Sequence, residues 1–175
     1  MKTLAEQLTN YARYHRDVRN ITTHLVGIPL IVLAIAILLS RPVLFNYEGL
    51  PLSPALFLCI GVLLYYLRLD LTLSLIMSAV FGLVLVFGGW IASQDTTTWL
   101  SIGLGSFAAG WAIQFIGHWY EGRRPAFVDD VVGLLIGPLF VVAELLFKAG
   151  WRLELEATIE RHAGPVHNGS RGIAL

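Results

Sequence analysis

The sequence predicts an all-α integral membrane protein, a bundle of four to five transmembrane helices with an N-terminal amphipathic interfacial helix. Of its 175 residues, 56% are hydrophobic and 14% are charged, whereas soluble domains have roughly 45–50% apolar and about 25% charged residues. Five apolar stretches also divide the chain, several of them close to the roughly 20 residues that a spanning helix needs. Lipid is therefore the expected solvent, and membrane lipids are expected partners.

Charge balance and cysteine content exclude several classes of function. Twelve basic and twelve acidic residues give a net charge of zero, and no basic block is long enough to follow a phosphate backbone. Nucleic acid is therefore not an expected partner. The single cysteine, Cys59, allows neither an intramolecular disulfide nor a cysteine-based metal cluster. Any metal must bind to histidine and carboxylate.

The chain begins with a polar segment in which apolar side chains recur at steps of three and four residues. The apolar residues are Leu4, Leu8, Tyr11 and Tyr14. On a helix they share one face, which predicts an amphipathic segment on the membrane surface. The predicted division is 1–23 for this segment, 24–147 for a transmembrane helical domain and 148–175 for a polar tail, disordered from Gly164 onwards.

The apolar stretches differ in how well they fit a bilayer. They cover residues 25–40, 55–67, 71–92, 99–117 and 131–147. The third and fourth are long enough to span, the first is long enough if residues 22–24 are counted, and the second is short. The fifth contains Pro138, which removes a backbone donor and favours a kink, and the ionisable residue Glu144. It is expected either to span or to re-enter.

Counting the crossings places three histidines on one membrane face. If the first four stretches span, the chain returns at residue 117 to the side where it began, so His15, His24 and His118 share that side. Short loops on this side carry most of the basic residues, which predicts a cytoplasmic N-terminus. The basic residues counted there are Lys2, Arg13, Arg16, Arg19, Arg68, Arg123 and Arg124.

Two polar clusters, residues 14–24 and 114–126, contain the candidate chemistry. His118 and Glu121 are three residues apart, so one helix face presents both. His15 and His24 would lie on opposite faces of a straight helix and about 13 Å apart along it. To share a metal they need a break between them, and Asn20 is the expected N-cap of a new helix.

Simpler interpretations exist for each of these residues. A single interfacial histidine more often contacts headgroups than a metal. Arg123 and Arg124 are either positive-inside anchors or a grip for an anionic substrate. Glu144 lies four residues before Lys148, which can pair with it on a helix.

These clusters resemble a known family. The segment from Tyr14 to Pro29, with His15, Asn20 and His24, and the segment from Gln114 to Ala126, with His118 and Glu121, are similar to the Mpo1-like family over about residues 10–147. The resemblance implies a small multi-helix membrane protein. It also implies an iron(II)-dependent dioxygenase that shortens long-chain 2-hydroxy fatty acids by one carbon, as in fatty acid α-oxidation during sphingoid base degradation.

The resemblance assigns roles to residues of this chain. The family's histidines fall on His15, His24 and His118, which become the expected Fe(2+) ligands and catalytic residues, with Glu121 as a further ligand or a hydrogen-bond partner of one. The 2-hydroxy acid and O2 would take the remaining positions of a six-coordinate ion. The expected substrate-binding residues are Arg123, Arg124, Asn20 and Gln114, and Asp17, Asn20 or Gln114 could orient an imidazole. His162 and His167 lie outside the match.

Other functions stay open at this point. A non-catalytic membrane scaffold, a small transporter or a zinc-dependent lipid hydrolase would also fit these residues. The chain ends without an endoplasmic-reticulum retrieval signal, so the expected location is a bacterial inner membrane, or the endoplasmic reticulum if the host is eukaryotic.

Overall fold

The computed structural model describes residues 2–169 and is almost entirely helical, which confirms the predicted fold class. The helices are α1 Leu4–Ala12, α2 Val18–Ser40, α3 Pro54–Leu67, α4 Leu71–Ala92, α5 Thr96–Glu121, α6 Val132–Lys148 and α7 Leu153–Ala163. A short antiparallel hairpin, β1 Phe45–Tyr47 and β2 Leu50–Leu52, separates α2 from α3. One 3₁₀ turn, Ala126–Val128, precedes α6.

Three helices are long and apolar enough to cross a membrane: α2, α4 and α5. Helix α6 reaches spanning length only together with α7, from which it is bent by 117°. Helix α3 has 14 residues, about 21 Å of helix against a hydrocarbon core of about 30 Å. By length and composition residues 2–169 contain three spans, or four if the bent pair is one span, and four is the lower end of the predicted four to five.

Side-chain caps begin both α3 and α4, which are joined by a tight turn at residues 68–70. Ser53 begins α3 by accepting a hydrogen bond from the Leu56 amide, with Pro54 in the first helical position. Asp70 begins α4 by accepting from the Leu73 amide at 2.8 Å. Helices α3 and α4 pack together across this turn, as the short polar link between the second and third apolar stretches predicts.

The chain forms two compact units, Met1–Ile28 with Trp111–Leu175 and Pro29–Gly110. In the second unit α4 approaches α2 closely, because a Cβ added at Gly88 would lie 3.1 Å from the Ala36 carbonyl carbon. The indole of Trp99 donates to the Ile37 carbonyl at 2.9 Å. All the predicted site residues belong to the first unit.

The apolar stripe of the first helix is buried by protein. Leu4, Leu8 and Tyr11 are buried, and α1 packs against α6 and α7. The predicted amphipathic face is therefore present, but α6 and α7 cover it in place of the expected membrane surface. Tyr14 lies beyond the end of α1, where its hydroxyl donates to Asp129 at 2.9 Å.

The tail departs from the predicted disorder. Helix α7 ends at Ala163, and the next residue, Gly164, turns the chain with a φ of +89°. The backbone that follows forms a parallel β-bridge between His167 and Asp17. The disorder predicted from Gly164 is therefore wrong as far as Gly169, and residues 170–175 lie outside the described part of the chain.

Candidate metal centre

A turn between α1 and α2 supplies the break that the two N-terminal histidines need. Helix α2 begins at Val18, so His15 lies in the turn and His24 on the helix. The expected N-cap at Asn20 is wrong, because Asn20 is already inside the first turn of α2. Asp17 occupies the cap: its Oδ1 accepts from the Arg19 amide at 2.9 Å, and its carbonyl accepts from the Ile21 amide at 3.0 Å.

The structure brings His15, His24 and His118 together. The Nε2 atoms of His15 and His24 are 3.0 Å apart, and the ring centroid of His118 lies 5.0 Å from that of His15 and 4.9 Å from that of His24. One ligand atom from each residue lies within 4.8 Å of the others. All three side chains are buried, with 1%, 2% and 7% of their surface exposed.

The hydrogen bonds of His15 and His24 determine which nitrogen has the free lone pair. The Nδ1 of His15 is 2.7 Å from the Tyr11 carbonyl, and the Nδ1 of His24 is 2.9 Å from the Asn20 carbonyl. A carbonyl only accepts, so each Nδ1 is the protonated nitrogen, and in the neutral rings both Nε2 atoms carry lone pairs. Two lone pairs facing each other at 3.0 Å repel unless a proton or another cation lies between them.

A metal cation fits this arrangement better than a proton does. Burial, followed by the neighbouring charge of His24, holds the pKa of His15 well below its usual range, which disfavours an imidazolium. Two nitrogen ligands about 2.1 Å from one ion are about 3 Å apart when they subtend a right angle. His118 adds a buried Nδ1 that has no hydrogen-bond partner among residues 2–169. Three imidazoles suit iron, zinc, copper or nickel.

Glu121 lies beside the histidine cluster, and its carboxylate accepts hydrogen bonds from other groups. Its two oxygens accept from the Arg16 amide at 3.0 Å, the Asp17 amide at 2.9 Å and the Asn20 side-chain amide at 2.9 Å. The predicted ligand is therefore absent from the group of metal-ligating atoms found in the described residues. In the structure Glu121 holds the turn that carries His15.

Asn20 and Gln114 are buried and each keeps an acceptor without a partner. The side-chain nitrogen of Asn20 donates to Glu121 and to the Tyr14 carbonyl. Its Oδ1, like the Oε1 of Gln114, has no hydrogen-bond partner within the described chain. Gln114 precedes His118 by four residues on α5, so both occupy one face of that helix.

Close packing of α2 and α5 depends on Gly117. A Cβ built there would lie 2.5 Å from the Asn20 Oδ1 and would clash with the Thr23 hydroxyl. Any larger residue at this crossing, one residue before His118, would force the side chains of Thr23 and Asn20 to move.

The two predicted substrate-binding arginines contact other groups. Arg123 donates to the Arg13 carbonyl at 2.9 Å, and Arg124 pairs with Asp129 at 2.6 Å. A different arginine lies at the cluster: Arg16 is buried, and its Nε donates to the His15 carbonyl at 2.9 Å. Arg16 belongs to the first polar cluster, and its position next to His15 in the sequence was the signal for this contact.

The remaining histidines lie outside the cluster, as expected. His162 is exposed, with its Nδ1 2.8 Å from the Thr158 carbonyl. His167 contacts the site through its backbone, which pairs with Arg16 and Val18.

Comparison with known proteins identifies the family. A sequence model described as 2-hydroxy-palmitic acid dioxygenase Mpo1-like matches residues 1–149. The chain is 31% identical over 159 residues to the 2-hydroxy-palmitic acid dioxygenase MPO1 of Saccharomyces cerevisiae, and this match covers 90% of the chain and 87% of the yeast protein. No solved structure gives a significant match. The chain therefore belongs to the Mpo1-like family.

Proposed function

We propose that this protein is an iron(II)-dependent dioxygenase that shortens long-chain 2-hydroxy fatty acids by one carbon. The observation that carries the proposal is the 3.0 Å distance between the unprotonated Nε2 atoms of His15 and His24. His118 completes this buried cluster of three histidines. Family membership supplies the substrate class, because the yeast relative is named a 2-hydroxy-palmitic acid dioxygenase.

The chemistry of the donor set supports this choice. His15, His24 and His118 would hold the ion, and three protein ligands leave positions on a six-coordinate ion for a chelating substrate. A bound iron(II) would supply the redox chemistry that O2 needs to react with a carbon–carbon bond. Tyr11 and Asn20 keep the ligand nitrogens unprotonated by accepting the Nδ1 protons through their carbonyls.

The proposed reaction balances with one O2. A 2-hydroxy acid and O2 contain the atoms of the acid one carbon shorter, CO2 and water. The C1–C2 bond breaks, C2 is oxidised to a carboxyl group and C1 to CO2, and the electrons released reduce both oxygen atoms. An external reductant is therefore unnecessary.

Two buried acceptors are candidates for the substrate's polar end. We propose that the Oε1 of Gln114 or the Oδ1 of Asn20 accepts a hydrogen bond from the 2-hydroxyl group, since an unpaired buried acceptor carries a desolvation cost that a donor would remove. Arg123 stays a candidate for the carboxylate, whereas Arg124 would first have to leave Asp129. The apolar helices α2 and α5 suit the acyl chain.

The test is metal analysis followed by turnover of the detergent-purified protein. One iron per chain, and O2-dependent conversion of 2-hydroxypalmitic acid to pentadecanoic acid, are expected. Unsubstituted and 3-hydroxy acids are the controls, and they should react poorly because they do not form the same five-membered chelate. Zinc with lipid hydrolysis would favour a hydrolase, and no metal with unchanged folding after chelation would favour a scaffold or transporter.

A further inference from the structure

Residues Gly164–His167, the C-terminal strap, lie along the turn that carries His15. The Val18 amide donates to the His167 carbonyl at 3.0 Å, and the His167 amide donates to the Arg16 carbonyl at 2.9 Å. The guanidinium of Arg16 donates to the Gly164 carbonyl at 3.1 Å. In all three hydrogen bonds the strap takes part through its backbone groups.

The opposite side of the same turn is held by α5. Glu121 accepts the amides of Arg16 and Asp17, so the backbone of this turn is bonded to Glu121 on one side and to His167 on the other. The Val18 amide is one of the first amides of α2, which have no acceptor within the helix. Without the strap, this amide and the Arg16 carbonyl lose their protein partners.

Arg16 links the strap to the interior of the first unit. Its Nε donates to the carbonyls of Ala12 and His15, both at 2.9 Å, and its Nη2 lies 4.0 Å from Glu144 in a largely buried pair. One side chain therefore joins the end of α1, the residue that carries the imidazole, α6 and the strap.

We propose that the C-terminal strap is a positioning element for the metal ligand His15. This inference rests on the proposed function, since it assumes that His15 binds the metal. The strap lies outside residues 1–149, the part that the family model matches. The strap restricts the conformations of the turn before the metal binds. Metal binding therefore loses less free energy in ordering the turn.

Two variants of His167 separate the contribution of its backbone amide from that of its side chain. His167→Pro removes the amide that donates to Arg16, whereas His167→Ala keeps it. Titration of the full-length protein with Co(II), followed by its visible absorption, should show affinity about threefold to tenfold weaker for His167→Pro, the range expected for one lost hydrogen bond. The affinity of His167→Ala for Co(II) should be within about twofold of that of the wild type, because the hydrogen bonds of the strap are made by its backbone.

The outcomes distinguish this inference from the proposed function. Wild-type affinity and an unchanged cobalt spectrum in His167→Pro would overturn the role of the strap alone. Failure of the wild-type protein to bind cobalt or iron would overturn the metal centre itself.

A second measurement needs no variant and covers the case in which His167→Pro does not fold. If the strap stabilises the metal-bound turn, metal must stabilise the strap by the same free energy. Hydrogen exchange of peptides covering residues 16–18 and 164–169 should therefore slow when metal is added. Exchange of the 164–169 peptide that is the same with and without bound metal would contradict the inference.

Discussion

Tyr11 orients the imidazole of His15 through two contacts, one from its ring and one from its backbone carbonyl. The two rings stack with centroids 4.1 Å apart and planes 8° apart, and the Tyr11 carbonyl accepts the Nδ1 proton at 2.7 Å. The last turn of α1 therefore sets both the direction and the tautomer of this imidazole. An aromatic residue four positions before His15 was the sequence signal for this contact.

Replacing Tyr11 should separate the stacking contact from the carbonyl contact. Tyr11→Leu keeps the carbonyl and loses the stacked ring, so we expect weaker metal binding and a lower melting temperature. Tyr11→Phe keeps the ring and should bind metal as the wild type does. Equal metal affinity in the leucine variant, measured by chelator competition, would show that the stack does not orient the ligand.

Each clustered histidine should be required for iron. His15→Ala, His24→Ala or His118→Ala removes one of three donors, and we expect both iron content and turnover to fall at least tenfold, the equivalent of about 1.4 kcal/mol. His162→Ala is the matched control, because that side chain is exposed and bonded only within α7. Full O2-dependent activity without all three clustered histidines would exclude the proposed centre.

Glu121→Gln tests whether this residue is a ligand or an anchor. The structure has Glu121 accepting from two backbone amides and Asn20, so we expect iron to be retained with reduced affinity and slower turnover. Charge-assisted hydrogen bonds contribute about 1.5–3 kcal/mol each, so a measurable loss of thermal stability should accompany the change. Iron content that falls as far as in His118→Ala would instead make Glu121 a ligand.

Gly117→Ala should disturb the site without touching any ligand. The new Cβ would clash with Thr23 and press on Asn20, and overpacking of this kind costs about 1–3 kcal/mol. Gly105→Ala on the same helix is the control, because nothing lies within 4 Å of a Cβ there. We expect a lower melting temperature and weaker metal binding for Gly117→Ala only.

Membrane topology can be measured with cysteine labels in a Cys59→Ser background. The N-terminal end of α2 and the C-terminal end of α5 meet within the first unit, so labels at Lys2→Cys and Arg123→Cys should react from the same side. The charge distribution predicts the cytoplasmic side. Labelling from opposite sides would be incompatible with one metal centre built from both helix ends.

Local patterns predicted the helices and the family resemblance predicted the histidine cluster, but neither predicted the tertiary contacts around the site. The crossing count placed His15, His24 and His118 on one membrane face, and it did so by counting the short second stretch, now α3, as a span. Asp17 and Asn20 are both good N-cap residues, and the choice between them depends on Glu121, a hundred positions away. The stripe on α1 showed which face is buried, but amphipathicity does not show whether lipid or another helix covers it.

The contacts around His15 also determine when its turn can be completed during biosynthesis. His15 leaves the ribosome well before Glu121 and His167, which bond the residues after it and are made more than a hundred residues later. Until then the amides of Arg16, Asp17 and Val18 lack their final acceptors. Metal loading should therefore follow insertion of the apolar helices, which makes the centre a late marker of a correctly assembled chain.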